Sequence, residues 1–334
     1  MPSALDTAFT LCAATVVAGL SVTGFARTDP GNPTTGWTDG TFQRGYETRF
    51  ERSLPAHEPS VAFWSAIRWG VFREPAAGAV AGREGWLFSA EEFSRPKDSR
   101  SFLAELYRAA DHLQGKGIRL VPVIVPDKAR MQASHLARGR SSSFETRYDH
   151  ALRVIAEAGF PVIDLRTALE FDTSYMRTDT HWSPEGARAA AEAIAKQLVA
   201  YEFPRATVET RLTGARELEG DLLSFVATGA LRPYIGPALD TIPVYETQVG
   251  NTGGLLGDVP VPVALVGTSF SAKPAFHFEG FLKQALQADV LNASQIGQGP
   301  FAPMNKFLSD IEHFASPPSL VIWEIPERYL KLNE

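Results

Sequence analysis

Amphipathic segments and uninterrupted apolar runs alternate along the chain from residue 101 onward. Apolar residues three and four positions apart place one hydrophobic stripe on a helix, and this spacing predicts helices over 101–117, 144–159, 184–200 and 278–288. Continuous apolar runs are expected of strands buried on both faces, and they predict strands over 118–126, 160–165, 261–267 and 319–326. The alternation predicts an α/β fold, with a mostly parallel central sheet covered by helices.

The loops that follow the predicted strands are the expected place for a ligand. In open parallel sheets, ligands bind outside the carboxyl ends of the strands. This rule selects PDK (126–128), the residues after IDL (163–165), GTSFS (267–271) and IPER (325–328).

The N-terminal segment AFTLCAATVVAGLSVTGFA, residues 8–26, carries no charge. Its length is typical of a membrane span or of the apolar core of a signal peptide, although no Lys or Arg precedes it. A buried helix of a globular fold is the alternative. We expect an export signal or membrane anchor over 1–27, a linker and lead-in over 28–80, and the main domain over 81–334, outside the cytoplasm.

The composition is that of a globular protein, and it excludes some classes of site. The 334 residues are 44% hydrophobic and 21% charged, with a formal net charge of −6. An acidic balance argues against nucleic-acid binding, although a local cluster of arginines can still bind an anionic ligand. The single cysteine, Cys12, excludes an intramolecular disulfide and a cysteine-based metal cage.

The stretch RTDTHWSPEGARAAAEAIAKQL, residues 177–198, places an aspartate and a histidine just before a helix. Ser183 is a favourable N-cap, and Pro184 suits the first helical position. In an extended segment, residues i and i+2 project to the same side, so Asp179 can reach the ring of His181. Such a pair is typical of the acid and base of a catalytic triad. Most D-x-H matches are nevertheless polar turn residues, so the pair alone is a weak signal.

The segment VPVALVGTSFSAKPAF supplies a candidate nucleophile. An apolar strand leads into a tight G-T-S turn and then a predicted helix, which exposes a serine hydroxyl and directs backbone N–H groups toward an oxyanion. Ser269 is the candidate, and Ser271 is the nearest alternative. A serine hydroxyl needs a base to take its proton, and His181 is the candidate base. A lone G-x-S motif is more often a simple turn, so the interpretation depends on the Asp179–His181 pair.

The other histidines are weaker candidates. His277 is close to Ser269 in sequence and is kept as an alternative base. His112 and His150 directly follow an aspartate but fall in predicted helices, where sequence neighbours diverge. No second histidine or carboxylate stands at ligand spacing from His181, so we expect no metal site and no cofactor.

Four motifs together resemble a known family. TDTHWSPEGA, VGTSFS, GREGWLF and WEIPERYL, within roughly residues 80–330, are similar to segments of the AlgJ/AlgX family of exopolysaccharide O-acetyltransferases. The paired D-T-H-W and G-T-S-[FY]-S blocks are the most specific part. The resemblance implies an SGNH-hydrolase-like three-layer sandwich and a triad with Asp179 as acid, His181 as base and Ser269 as nucleophile. This order differs from that of α/β-hydrolases, in which the serine comes first.

The resemblance also implies a reaction and its partners. The serine would accept an acetyl group and pass it to a sugar hydroxyl of a secreted polysaccharide such as alginate. A membrane-bound O-acyltransferase, which brings acetyl groups across the membrane in this family, is an expected partner. The chain ends soon after WEIPERYL, without the carbohydrate-binding module of the AlgX type. It is therefore expected to be of the AlgJ type, periplasmic and tethered to the inner membrane by its N-terminal segment.

Four residues near the predicted strand ends are candidate contacts for the acceptor. Arg177, Lys128 and Arg328 would pair with uronate carboxylates, and Trp182 would stack on a sugar ring. Each has a simpler alternative, either a solvated surface cation or an indole that covers the end of the sheet.

Two other functions are compatible with the same motifs. An acetylesterase would use the same triad, with water in place of the sugar. A non-catalytic scaffold of a polysaccharide export complex would keep the fold without turnover. The triad residues do not distinguish these functions from acetyl transfer.

Overall fold

The computed structural model describes residues 4–31, 36–55, 57–98, 100–226, 228–250 and 261–331. The chain divides into two compact units. The smaller comprises Met1–Ala76 and Val226–Gly236, and the larger comprises Ala77–Phe225 and Pro237–Glu334. The boundary that sequence analysis places after residue 80 falls inside a strand, Ala79–Ala81.

The two units together contain the following helices and strands, which are numbered in chain order. The helices are α1 (Ala4–Arg27), α2 (Thr41–Ser53), α3 (His57–Phe72), α4 (Phe102–Gln114), α5 (Lys128–Met131), α6 (Ser142–Glu145), α7 (Arg147–Glu157), α8 (Pro184–Gln197), α9 (Arg232–Ile235), α10 (Ser269–Ala272), α11 (Phe278–Leu286) and α12 (Phe301–Asp310). The strands are β1 (Ala79–Ala81), β2 (Leu87–Ser89), β3 (Arg119–Val125), β4 (Val208–Leu218), β5 (Asp240–Val249), β6 (Val263–Val266), β7 (Val290–Asn292) and β8 (Leu320–Pro326). Short 3-10 turns lie between them.

A four-stranded parallel sheet forms the centre of the larger unit. Its strand order is β3-β8-β6-β7, and each of these three pairings is parallel. Ile322 of β8 lies opposite Val121 of β3 and Leu265 of β6. Every residue of β6 and β8 is buried, as expected for central strands covered on both faces. The predicted α/β fold with a mostly parallel sheet is confirmed.

Successive residues of each strand face opposite sides of the sheet and join two separate hydrophobic cores. In β6, Val263 and Leu265 belong to one core, and Ala264 and Val266 belong to the other. α8 and α11 contribute to the first core, whereas α4, α7 and α12 contribute to the second. A sheet between two helical layers is the three-layer sandwich that the sequence predicts.

Residues 160–165, predicted to be a strand, are not part of the sheet. The apolar pattern of this segment reflects burial without strand pairing, because Ile163 and Leu165 lie in the first core. The backbone N–H of Leu165 donates to the Tyr148 hydroxyl at 3.1 Å, and that hydroxyl donates to the Ile124 carbonyl of β3 at 3.2 Å. The Tyr148 side chain thus links this segment to β3, where a paired strand would form backbone–backbone hydrogen bonds.

The polar stretch after α8, for which the sequence gives no prediction, contains an antiparallel ribbon. β4 pairs with β5 along its length, with an irregularity between Leu212 and Gly214. Most side chains of β4 are exposed, so the strand lacks the apolar pattern by which a buried strand is recognised. The ribbon approaches the sandwich at α11, where Thr247 Oγ1 and His277 Nε2 lie 2.7 Å apart.

In the smaller unit, α1 covers the uncharged segment that the sequence singles out. Leu11 and Phe25 on this helix are 64% and 70% exposed. Its end is joined to α2, because Gly24 O accepts from the hydroxyl of Ser53 at 2.8 Å. Within the described part of the chain, none of the helices combines the length and the hydropathy needed to span a bilayer.

Candidate active site

Ser269 lies at the carboxyl end of β6, on the turn that leads into α10. The strand ends at Val266, and Ser269 is the first residue of the one-turn helix that follows. The Thr268 hydroxyl caps this helix by accepting from Phe270 N–H at 3.4 Å. Ser269 is partly exposed, whereas Thr268 and Phe270 on either side are buried. The turn therefore presents one hydroxyl to solvent from a rigid support.

Hydrogen bonds to Glu324, an acidic residue in the middle of β8, hold the turn in place. Its carboxylate accepts from Thr268 N–H at 2.7 Å, from the Thr268 hydroxyl at 3.0 Å and from the Ser271 hydroxyl at 3.1 Å. Burial raises the pKa of Glu324, although the hydrogen bonds from Thr268 and Ser271 oppose that effect. Gly267 is required here, because a Cβ at that position would lie 2.4 Å from Glu324 Oε2.

His181 lies on a loop that is closed at its base by backbone bonds. Met176 N–H donates to His181 O at 3.0 Å, and Ser183 N–H donates to Ser174 O at 3.0 Å. Ser183 also caps α8 by accepting from Gly186 N–H at 2.9 Å, as its position before Pro184 predicts. The imidazole is consequently fixed to the start of a well-packed helix.

The structure brings Asp179, His181 and Ser269 together. His181 Nε2 lies 2.7 Å from Ser269 Oγ, and His181 Nδ1 lies 2.5 Å from Asp179 Oδ1. Since an ionised carboxylate only accepts hydrogen bonds, Nδ1 carries the proton and Nε2 is left to accept from the serine hydroxyl. This is the geometry of a nucleophile, a base and an orienting acid.

Burial and neighbouring charges adjust the ionisation of the pair. Burial lowers the pKa of His181, the bond to Asp179 opposes this effect, and the Lys273 ammonium adds to it. For Asp179, burial raises the pKa, but the contact with His181 and the charge of Lys273 outweigh it and lower the pKa overall. At neutral pH the acid is therefore charged and the imidazole is available as a base.

Asp221 and Lys273 complete the surroundings of the pair, and the sequence does not predict either one. Asp221 N–H donates to Asp179 Oδ2 at 2.9 Å, and Lys273 Nζ lies 3.2 Å from Asp221 Oδ2 and 3.5 Å from His181 Nδ1. Asp221 is 40 residues from His181 in the chain, so no local spacing reveals it. Lys273 follows Ser269 by one helical turn. This spacing can place the lysine near the serine, but it is too unspecific to identify a site residue.

The sequence spacing predicts no second carboxylate near His181, and this prediction is wrong. Ligand atoms of Asp179, His181 and Asp221 lie within 4.8 Å of one another. The same place holds a positive group already, because Lys273 Nζ lies 3.6 Å from Asp179 Oδ2. A second cation there would meet an ammonium at close range, which is unfavourable.

The structure contradicts the predicted contact of Lys128 with a uronate. The residue is fully buried, and its ammonium donates to the carbonyls of Leu87, Arg177 and Asp179 at 2.5, 3.1 and 3.0 Å. Burial lowers its pKa to about 8. Its ammonium joins the Leu87 carbonyl of β2 to two carbonyls of the Asp179 loop, so Lys128 holds that loop in position. No part of the side chain is exposed for contact with a sugar.

Trp182 was predicted to stack on a sugar, and it too is fully buried. Its ring packs against Phe270 and Phe278, with centroids 5.1 and 4.6 Å apart. Since Phe270 follows Ser269 directly, the indole supports the nucleophile turn from the core side. The indole therefore has a packing role in the core.

The remaining candidates lie at different places. Arg177 is partly exposed and pairs with Asp240 at 3.4 Å, whereas Arg328 is nearly buried beside Phe270. His277, the alternative base, is bonded to Thr247 as described above, away from the nucleophile. Ser271, the alternative nucleophile, donates to Glu324 and is buried. Neither contact is part of the Ser269–His181–Asp179 arrangement.

Comparison with known proteins identifies the family of the chain. The family described as "SGNH hydrolase-like domain, acetyltransferase AlgX" matches residues 79–327 of the chain. The chain belongs to this family. The matched segment contains the sheet, all three triad candidates and both cores except Leu330.

Within the family, the chain is more similar to AlgJ proteins than to AlgX proteins, as the sequence predicts. It is 34% identical to the probable alginate O-acetylase AlgJ of Pseudomonas aeruginosa over 317 residues, which is 88% of this chain and 81% of that protein. It is 30% identical to the alginate biosynthesis protein AlgX of the same organism over 268 residues, which is 75% of this chain and 56% of that protein.

Solved structures show the same relationship. The O-acetyltransferase domain of Pseudomonas putida AlgJ superposes with a TM-score of 0.67 and 33% identity, covering 77% of this chain and 92% of that domain. Pseudomonas aeruginosa AlgX gives a TM-score of 0.62 and 27% identity, covering 77% of this chain and 63% of that protein. The expected SGNH-hydrolase-like fold is thereby confirmed.

Proposed function

We propose that this protein is an O-acetyltransferase that moves acetyl groups through an acetyl-serine intermediate to sugar hydroxyls of alginate or a similar exopolysaccharide. The observation that carries the proposal is the 2.7 Å separation of His181 Nε2 from Ser269 Oγ, with Asp179 on the other ring nitrogen. The relatives named as alginate O-acetylases supply the reaction class and the acceptor. The triad assignment is our own inference from the geometry.

The first half of the proposed reaction acylates Ser269. Its Oγ attacks the acetyl carbonyl carbon of the donor while the hydroxyl proton passes to His181 Nε2. Asp179 stabilises the imidazolium through Nδ1–H. The proton then passes from Nε2 to the departing group of the donor, and the acetyl ester remains on Ser269.

The second half transfers the acetyl group to the sugar. A sugar hydroxyl gives its proton to His181 Nε2 and attacks the acetyl carbon, and Ser269 Oγ leaves with that proton. In both halves negative charge develops on the carbonyl oxygen. Ser269 N–H suits this charge, because the first amide of α10 has no acceptor within the helix.

The location and the partners remain part of the proposal. Acetylation of a secreted polymer places the domain in the periplasm, with the N-terminal segment as export signal or inner-membrane tether. A membrane-bound O-acyltransferase would supply the acetyl donor. For acceptor contacts we retain Arg177 and Arg328, since Lys128 and Trp182 are fully buried.

The experiment compares acetyl transfer with acetyl release. Purified protein receives an activated acetyl ester and an oligomannuronate acceptor, and both acetylated sugar and free acetate are measured. Ser269→Ala should lower transfer at least about a thousandfold, the scale of loss when a triad nucleophile is removed. Ser142→Ala, an exposed serine on α6, is the matched control and should behave as the parent protein.

Three outcomes separate the candidate functions. Acetylated sugar that depends on Ser269 supports the transferase. Rapid release of acetate without transfer, also dependent on Ser269, would replace it with the acetylesterase. Polymer acetylation that continues undiminished in cells carrying Ser269→Ala would indicate a scaffold.

A further inference from the structure

A cavity of about 210 Å³ lies at the carboxyl end of the sheet, and its lining residue Arg328 packs on Phe270 of the nucleophile turn. Arg328 and Tyr329, which follow β8, line one part of it, and residues 297–300, which follow β7, line another. β8 and β7 are the two neighbours of β6, which leads into the turn. The loop after β7 is also tied to that turn, because Gln295 N–H donates to Gly267 O at 3.1 Å.

The guanidinium of Arg328 is the feature of this cavity that indicates a ligand. The side chain is 7% exposed and packs on the rings of Phe270 and Tyr329, at 5.3 and 5.2 Å from their centroids. In the part of the chain that the structure describes, Arg328 Nε has no hydrogen-bond acceptor, and its contact with Glu91 is an ion pair at 3.3 Å. A buried charged donor without an acceptor is costly. Glu91 offsets part of the charge, but no described residue accepts a hydrogen bond from Nε, so the guanidinium fits a site to which a ligand brings a further carboxylate.

Two further cations lie at the same cavity. Arg95 and Lys97 are exposed, and no carboxylate of the described residues forms an ion pair with either. Asp98, the neighbouring acid, is already paired with Arg100 at 2.5 Å. The uncompensated charge at the cavity is consequently positive, although the whole chain carries a net charge of −6.

The cavity beside Arg177 has the opposite character. It has a volume of about 360 Å³ and is lined by Asp172, Glu185 and Asp240 among others. Arg177 is paired with Asp240 there. An anionic sugar would meet more negative than positive charge at that cavity, so the Arg328 cavity is favoured.

We propose that the cavity at Arg328 is the subsite for one negatively charged sugar of the acceptor, with Arg328 paired to its carboxylate and with Arg95 and Lys97 at the rim. The inference rests on the proposed transfer to a uronate polymer. A planar guanidinium offers two parallel N–H groups, which match a carboxylate. Drug-sized ligands occupy about 300–1,000 Å³, so this smaller cavity suits a single sugar unit. A carboxylate held there fixes which hydroxyl of the next sugar reaches Ser269.

Binding to a protein that cannot turn over tests the subsite apart from the reaction. The full chain with Ser269→Ala is titrated calorimetrically with an oligomannuronate and with a neutral oligosaccharide of the same length. We expect the charged oligosaccharide to bind at least about tenfold more tightly. Adding Arg328→Met should weaken that binding about tenfold or more, the loss expected for charge-assisted hydrogen bonds, and should leave binding of the neutral sugar unchanged.

A second variant covers the case in which Arg328→Met perturbs the fold. Arg95→Gln with Lys97→Gln changes two exposed side chains, and it should weaken oligomannuronate binding about threefold to tenfold and reduce its salt dependence. Lys196→Gln is the matched control. This exposed lysine lies in the last turn of α8, at the opposite end of the helix from His181, and its substitution should leave affinity unchanged.

The subsite and the proposed function fail in different ways. Equal affinity for charged and neutral sugars, or unchanged affinity in both sets of variants, overturns the subsite even if transfer proceeds. If binding follows the expected pattern but the protein with Ser269 intact transfers no acetyl group, the subsite stands and the proposed function fails.

Discussion

Ser269, His181 and Asp179 are each positioned by contacts of their own, before any contact among them. A buried carboxylate holds the serine turn, a closed loop and a helix N-cap hold the histidine, and the backbone of Asp221 holds the aspartate. Catalytic geometry depends on such supporting contacts, because small displacements of reacting groups lower rates strongly.

At the same scale, the sequence predicts the three proposed triad residues, which the structure brings together, but not their surroundings. Asp179 and His181 are recognisable because they stand two residues apart before a clear N-cap, and Ser269 because it follows an apolar strand. Asp221 is brought in by folding over a long separation. The burial of Lys128 and Trp182 is not predicted, because sequence position does not give the direction in which a side chain points.

Substitution of Lys273 by methionine should raise the pKa of His181. Lys273 disfavours the imidazolium, and its removal also leaves Asp221 unpaired beside the ring. Since the proposed mechanism requires a neutral His181, activity should fall as pH drops through the pKa of the imidazole. The acidic limb of the kcat/KM profile should therefore move to higher pH in Lys273→Met. Lys283→Met, which removes a cation paired with Glu279, should leave the limb in place. An unmoved limb in Lys273→Met would contradict the role given to this ammonium.

Lys128→Met should destabilise the fold by about 2 kcal/mol or more, since the Leu87 and Asp179 carbonyls lose their donor and each unsatisfied group costs about 1–3 kcal/mol. The Arg177 carbonyl keeps its bond from Leu87 N–H. Urea unfolding measures the change. Lys306→Met removes an exposed ion pair on α12 and should alter stability by about 0.5 kcal/mol or less. Equal effects of the two substitutions would show that the Lys128 contacts contribute little.

At the scale of elements, local periodicity predicts what the sheet and its helices bury. The helices over 184–197 and 278–286 and the strands over 119–125, 263–266 and 320–326 agree with the sequence because each carries a periodic apolar pattern. Residues 160–165 have that pattern without pairing, since burial and backbone pairing are separate requirements. The β4–β5 ribbon pairs without the pattern, because most of its side chains face solvent. Glu324 is not predicted as a site residue, because its partners Thr268 and Ser271 lie 56 and 53 residues away in the chain.

The nucleophile turn depends on the close approach of β6 and β8. Gly267→Ala would place a methyl group 2.4 Å from Glu324 Oε2 and 2.8 Å from its Cβ. Overpacking of this kind costs about 1–3 kcal/mol, and displacement of the turn should lower kcat with little change in KM. Gly139→Ala, where nothing lies within 4 Å of the added Cβ, is the control and should be neutral. Unaltered kcat in Gly267→Ala would show that the turn tolerates movement.

At the scale of the whole molecule, the chemistry belongs to the larger unit. Both cores and all three triad candidates lie between residues 77 and 334. A fragment of residues 77–334 should therefore unfold cooperatively and still release acetate from an activated ester. A fragment that begins at residue 91 lacks β1 and β2, including the Leu87 carbonyl that accepts from Lys128, and should be markedly less stable. Loss of cooperative unfolding in the longer fragment would contradict the division into units.

The central claim is that Ser269 carries the acetyl group. Peptide mass spectrometry after brief exposure to an activated acetyl ester, quenched in acid, tests it most directly. The proposed mechanism predicts one added acetyl group on the peptide that contains Ser269, no such label in Ser269→Ala, and loss of the label when an oligomannuronate acceptor is added. An acetyl group on Ser271 or elsewhere, or transfer to sugar without any labelled enzyme, would contradict it.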